Sequence, residues 1–341
     1  MPELYKIQPL SKDSGRSHIT TLPILLLNVH SSCNCRCVMC DIWKRKDSVA
    51  LQAADLERHR ESIQQLGVKH VVMTGGEPLL NPELDAICHF FREMDVRTTL
   101  LTTGLLLLKK ADHVVNNFDE IIISIDGPPS VHDQVRRVHN AFATIQKGVV
   151  AVRALQPTMP ILSRMTVQRS NHAHLRSAVA AVKSIRLDGI SFLPADVTSQ
   201  AFNRDEPWTE SRQDEVSLTR DELQILEDEI ELLIENYREE IQQGFIAESE
   251  IKLRRIADRF RERLDGTPPR SPVCNAPWVS AVMEVDGNVR PCFFHGSVGS
   301  TKRSTLYEVV NGDSALRFRE SLDVATNPVC QRCVCSLSYR S

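Results

Sequence analysis

Ten cysteines, nine of them in two groups, are the residues of this 341-residue sequence most able to do chemistry. Cys33, Cys35, Cys37 and Cys40 share the segment SSCNCRCVMCDIW, and Cys274, Cys292, Cys330, Cys333 and Cys335 lie near the C-terminal end. Clustered thiols in a reducing compartment point to metal binding or catalysis and away from disulfides. The spacing Cys33-x3-Cys37-x2-Cys40 can wrap three thiolates around one face of an iron–sulfur cubane. One iron is then left without a protein ligand, open to a substrate or cofactor. Four thiolates on zinc are the alternative, but Cys33 and Cys35 stand too close for an ordinary zinc knuckle. The spacing favours iron–sulfur, with Cys35 a small residue outside the ligand set. Cys88, alone in a helical stretch, reads as a core residue.

Positioning such a loop calls for a scaffold, and the sequence from residue 24 alternates β-branched runs with stretches of helical period. That is the signature of strand–helix units on a parallel sheet. Strands are expected at 24–30, 70–77, 97–104, 120–127, 160–167 and 189–195, giving an α/β fold, a partial (β/α)6 TIM-like barrel. The expected domains are an N-terminal segment 1–20, the barrel core 21–196, a charged helical segment 197–265 and a C-terminal cysteine domain 266–341. Within 197–265, helices are expected at 223–237 and 248–264, read as the sixth barrel helix plus a solvated elaboration. Thr267, Pro268, Pro269 and Pro272 mark a linker. Residues 278–285 and 289–294 flank Asp286-Gly287, a pair suited to a type I′ hairpin turn. Ser304 is the expected cap of a helix running to about residue 322 that delivers the chain to Cys330 and Cys333.

Composition excludes some partners. Lysines and arginines (41) nearly balance aspartates and glutamates (44), so no basic footprint for nucleic acid is present. The apolar run at 24–27 is too short for a signal core or a membrane span, and a cytoplasmic location with no membrane partner is expected.

At the first cysteine group the sequence resembles the radical S-adenosylmethionine (SAM) superfamily, whose hallmark is C-x3-C-x2-C after the first barrel strand. The context agrees: Gly75-Gly76-Glu77-Pro78 ends the second strand, Thr102-Thr103-Gly104 the third, and Ser124-Ile125-Asp126-Gly127 the fourth. The resemblance implies that Cys33, Cys37 and Cys40 hold a [4Fe-4S] cluster that cleaves SAM to a 5′-deoxyadenosyl radical. It further implies that Gly75, Gly76, Glu77 and Pro78 bind SAM, with the Glu77 carboxylate on its ammonium. Ser124 and Asp126, two apart on one strand face, suit the ribose or methionine groups. Asp126 is equally a turn residue capping Gly127. Arg164 is a candidate partner of the SAM carboxylate, and Met39, with Trp43, borders the adenine.

The second group, C-x12-G-x4-C upstream of Cys330-x2-Cys333, resembles the SPASM and twitch domains that follow radical SAM barrels. The resemblance implies a second, auxiliary [4Fe-4S] cluster on Cys274, Cys292, Cys330 and Cys333, with Cys335 able to replace Cys333, and a structural zinc site as the alternative. Such relatives oxidise sugars and cyclitols, epimerise, and modify peptides. Oxidation or epimerisation of a small molecule is expected, fed by an electron donor such as flavodoxin or ferredoxin. Peptide or protein modification is the alternative, and a non-catalytic electron-transfer or sensing protein the second. Asp196 and His295 are candidates for proton exchange.

Overall fold

The computed structural model describes residues 17–204, 206–266 and 272–339. Six β-branched segments form strands β1 (Ile24–His30), β2 (His70–Gly75), β3 (Arg97–Thr102), β4 (Glu120–Ser124), β5 (Ile161–Val167) and β6 (Gly189–Pro194). Each bonds in parallel to the next, in the order β6-β5-β4-β3-β2-β1. Parallel sheets are covered on their faces, and the intervening helices supply the cover. The helix Leu84–Arg92 shows how: Leu84, Ile87, Cys88 and Phe91 fall on one face at helical spacing and are all fully buried. Cys88 is therefore core, its sulfur 3.7 Å from that of Met73.

Six strands fall short of the eight that close a barrel, and both edges of the open sheet are protected. Beyond β6, residues 245–247 lie alongside as a short bridge: Ile190 N–H donates to Phe245 O at 2.8 Å, and Ala247 N–H to Ile190 O at 3.0 Å. Beyond β1, strand β7 (Ser280–Met283) adds in parallel, followed by β8 (Asn288–Arg290) and β9 (Gly299–Ser300) in antiparallel. The hairpin assigned from sequence to a separate domain thus extends the barrel sheet to nine strands. All four residues of β7 are buried, as befits an interior strand. Its turn is not type I′: Gly287 is left-handed (φ +84°), but Asp286 is not among the left-handed residues.

The helices of the 197–265 segment include Arg220–Asn236, capped reciprocally by Thr219 and Glu222, and Glu250–Asp265. Their buried Leu226, Ile230 and Leu233 and Leu253, Ile256 and Phe260 belong to the barrel core. The helix expected from Ser304 is two, Leu306–Val310 and Asp313–Ser321, and Thr305, not Ser304, caps the first. Thr267, Pro268 and Pro269 of the linker lie outside the described residues, as do residues 1–16. Among the described residues no helix is long and apolar enough to cross a membrane.

Candidate functional site

The chain leaving β1 forms the cysteine loop at the C-terminal end of the sheet, where barrel folds place their sites. Two glycines admit it. Gly76 N–H donates to His30 O (2.8 Å) and Glu77 N–H to Ser32 O (2.9 Å), so the exit of β2 runs against the loop. A Cβ at Gly76 would lie 2.1 Å from Ser32 O, and one at Gly75, itself at φ +125°, 2.5 Å from His30 O. On the far side Arg36 N–H and Val38 N–H donate to Arg136 O and Val135 O, each at 3.2 Å. Held from both sides, Cys33, Cys37 and Cys40 line one cavity of about 720 Å³, together with Met39, Gly75, Gly76, Thr102, Thr103, Ser124, Arg136 and Arg164.

Cys35 does not line the cavity and is buried. Its neighbouring thiol lowers Cys33 and, with Arg136 adding to it, brings Cys37 down to about 6. Cys35 itself is pushed up and stays protonated. Burial pushes Cys40 up to about 12. Three thiols on one wall and a fourth turned away suit a cubane with one open iron.

Two carboxylates expected on SAM are buried and hydrogen-bonded inside the protein. Glu77 is fully buried and absent from the cavity wall. Its Oε1 accepts from Leu79 N–H (3.1 Å) and Thr102 Oγ1 (2.7 Å), its Oε2 from Thr103 N–H and Thr103 Oγ1 (both 2.7 Å). The carboxylate ties the β2 exit to the β3 exit; desolvation raises its pKa, those bonds opposing. Asp126, also fully buried, accepts from Thr166 N–H (2.9 Å) through Oδ1 and from Arg136 Nε (2.5 Å) through Oδ2. It lies outside the cavity wall, and so does Pro78, which starts the short helix Pro78–Leu80. Ser124 and Arg164, by contrast, are register partners on β4 and β5 and both reach the cavity, Arg164 donating to Ser191 Oγ at 3.2 Å. Asp196 reaches it too, but its carboxylate is ion-paired with Arg204 at 2.8 Å, with the two side chains 3% and 1% exposed.

That ion pair belongs to a clasp that sequence reasoning missed. Trp208 is sandwiched between the guanidinium groups of Arg204 (3.9 Å) and Arg212 (4.5 Å), and its indole N–H donates to Asp41 Oδ2 at 2.6 Å. Arg204 donates to Met39 O (3.2 Å), Asn203 to Asp41 O (3.3 Å), and Arg212 to Val38 O. The segment read as solvated therefore grips the cysteine loop from outside. The one sequence signal was a lone Trp with Arg four residues to either side.

The C-terminal thiols lie within electrostatic reach of one another. Cys292, between the β8 strand and His295, is pushed up to about 12 by burial, with the charges of Cys274 and Cys330 adding. Cys330 is pushed up to about 11 by burial and Cys274. Cys333 is raised by burial, then by Cys335, and its thiol bonds Cys335 O. His295 does not reach the cavity; its Nε2 lies 3.3 Å from Cys330 Sγ, with the ring packed edge-on against Phe318. Cys335 lines the same cavity as Cys33, Cys37 and Cys40.

An open parallel sheet with a three-thiol loop at its strand ends, and a second thiol group beside it, defines a partial-barrel iron–sulfur enzyme. Family comparison makes this specific: residues 27–177 match the radical SAM superfamily, and residues 274–334 match the SPASM iron–sulfur cluster-binding domain. The chain carries a radical SAM domain followed by a C-terminal SPASM domain, which imply a [4Fe-4S] cluster with SAM in the first and further iron–sulfur in the second. Pre-heme d1 synthase of Dinoroseobacter shibae is 29% identical over 166 residues, 46% of this chain and 39% of that protein. Subtilosin biosynthesis protein AlbA of Bacillus subtilis is 24% identical over 313 residues, 84% of this chain and 61% of that one. The chain spans about half the length of the curated relatives it matches. Its fold is shared with Streptococcus suis SuiB bound to precursor peptide SuiA (TM-score 0.63, 13% identity, 92% of this chain, 71% of that). Native anSMEcpe with bound AdoMet also shares it (TM-score 0.64, 16% identity, 91% and 90%).

Proposed function

We propose that this chain oxidises a small, hydroxylated organic substrate by removing a hydrogen atom inside the cavity. In this reading Cys33, Cys37 and Cys40 hold the SAM-cleaving cluster, Ser124 and Arg164 bind SAM, and Cys274, Cys292, Cys330 and Cys333 hold one auxiliary cluster. The core is 21–196, the clasp and helices 197–265, and the auxiliary unit 266–341. Bound there, the cofactors supply a 5′-deoxyadenosyl radical and a one-electron acceptor. The observation that carries the reading is a single chamber lined by Cys33, Cys37 and Cys40 and also by Cys335 of the C-terminal thiol group.

The chain's own residues suit a polar ligand. Asn28 on β1, Glu284 beyond β7 and Arg290 on β8 line the chamber and form one network: Asn28 Nδ2 donates to Glu284, and Arg290 Nε pairs with Glu284 at 3.1 Å. Asn28 Oδ1 is buried beside this network with no hydrogen-bond partner among the described residues. The volume is that of a small-molecule site.

A second reading, a peptide side chain as substrate, is favoured by the match to AlbA, a bacteriocin biosynthesis protein, across 84% of the chain. Cofactor-loaded protein incubated with a cell extract split at about 3 kDa separates the two. Stimulation of 5′-deoxyadenosine formation by the low-mass fraction supports the first, and stimulation by the high-mass fraction alone replaces it with the second.

A further inference from the structure

Arg136 is the last residue of the helix Pro129–Arg136, which stops where Arg137 turns left-handed at φ +53°. Its backbone carbonyl and that of Val135 carry the cysteine loop. Its guanidinium, 10% exposed, bridges two groups: Nε donates to Asp126 Oδ2 at 2.5 Å, and Nη1 points at Cys37 Sγ at 3.4 Å. The other arginines on the cavity wall have oxygen partners instead, Arg45 with Asp47, Arg164 with Ser191, Arg204 with Asp196, Arg290 with Glu284. Cys40 receives only a backbone donor, from Ile42 N–H at 3.4 Å. The three thiols of the loop are therefore not equivalent: the buried Arg204 charge reaches Cys40 only through space, whereas Cys37 takes a hydrogen bond directly from a buried guanidinium.

We propose that Arg136 is a positioning and potential-setting residue for the SAM-cleaving cluster, its guanidinium hydrogen-bonding the Cys37 thiolate and raising the potential at which that cluster accepts its electron. The inference rests on Cys37 being a ligand, as proposed above. A charge-assisted N–H···S bond withdraws electron density from a ligand sulfur, and hydrogen bonds to sulfur, net charge and burial are the levers that set such potentials. Reduction adds one negative charge to a cluster already carrying three thiolates, and a nearby guanidinium favours the reduced form. Asp126 sits on the opposite side of the same guanidinium. It aims the donor at the sulfur and, by its own charge, moderates the field the cluster feels.

The two partners must then act in opposite senses. Removing the cation (Arg136→Gln) lowers the midpoint; neutralising its counter-ion (Asp126→Asn) raises it. A residue that merely holds the loop would not give opposite signs.

The test is an EPR-monitored redox titration of the iron–sulfur-reconstituted full chain without substrate. The relevant cluster is identified as the one whose signal changes on adding SAM. For Arg136→Gln the expected result is about tenfold less reduced cluster at a given ambient potential, a fall of about 59 mV for a one-electron couple. Asp126→Asn is expected to shift the midpoint upward, with the second cluster unchanged in both variants. If Arg136→Gln fails to retain the cluster, the Asp126→Asn shift alone decides: a rise supports the proposal, and no change or a fall overturns it. An Arg136→Gln midpoint equal to wild type, shifts of the same sign in both variants, or loss of the SAM-responsive cluster from both also overturn it. The ligand assignment fails separately, if the combined Cys33→Ala, Cys37→Ala, Cys40→Ala variant keeps the SAM-responsive signal.

Discussion

Glu77 gives the sharpest test of how the Gly75-Gly76-Glu77-Pro78 turn works, because its carboxylate is fully buried and hydrogen-bonded within the protein. Glu77→Gln keeps the shape and removes one acceptor oxygen. The wild-type carboxylate accepts four hydrogen bonds, two on each oxygen. An amide nitrogen in place of Oε2 faces two donors of Thr103. The hydroxyl can rotate to accept, but the Thr103 N–H is fixed by the backbone and loses its partner in a fully buried place. Orphaning a buried donor costs about 1–3 kcal/mol, and loss of the charge-assisted bonds keeps the figure toward the upper half. Taking about 2 kcal/mol, and an unfolding entropy of about 2.1 cal/mol/K per residue over 341 residues, thermal unfolding followed by circular dichroism should drop by about 3 °C. SAM affinity of the folded, cluster-loaded variant should stay within about threefold of wild type, since Glu77 does not reach the cavity. An unchanged melting temperature together with a tenfold or greater loss of SAM affinity would refute this reasoning and return Glu77 to the ligand.

Other perturbations follow from the same geometry. Gly76→Ala places a methyl 2.1 Å from Ser32 O, so the cysteine loop must move; iron per chain should fall by about the four atoms of one cluster, with the C-terminal cluster's spectrum kept. Trp208→Ala removes a side chain 8% exposed and held between two guanidinium groups, and should destabilise by about 3–5 kcal/mol in a denaturant titration. Glu248, whose carboxylate accepts Phe192 N–H, is raised from 4.5 to about 7 by burial. Its folded pKa is the higher one, so wild type loses stability as pH rises from about 4.5 to 7, by at most about 1.4 kcal/mol per pH unit. Glu248→Gln should flatten that slope, leaving melting temperatures similar near pH 4.5 and the variant higher above pH 7.

Much of the scaffold was legible because its signals are local. The six parallel strands start within one residue of where β-branched runs place them, and Cys88 falls on the apolar face its spacing implies. The cysteine loop was legible because three thiols at x3 and x2 spacing serve few purposes besides a cubane. Long-range pairing and side-chain partners were not legible. That β7 would join β1, placing Ser280 opposite Ile24, cannot be read from either strand. Glu77 is expected on SAM by the family resemblance, and Asp126 equally as a SAM or a turn residue; the hydrogen bonds their carboxylates make to Thr102, Thr103 and Arg136 could not be read from either motif. The clasp at Arg204, Trp208 and Arg212 was hidden in a charged stretch, where composition resembles a solvated surface and only three-dimensional contact with residues 38–41 reveals otherwise.

The central claim is that Cys33, Cys37 and Cys40 together support SAM cleavage. Its most direct test is 5′-deoxyadenosine formation after anaerobic reconstitution with iron and sulfide and addition of SAM and dithionite. The wild-type chain should form the product, and a variant with these three cysteines changed to alanine should form none while retaining C-terminal iron. Product from that triple variant, or none from fully loaded wild-type protein, would contradict the account.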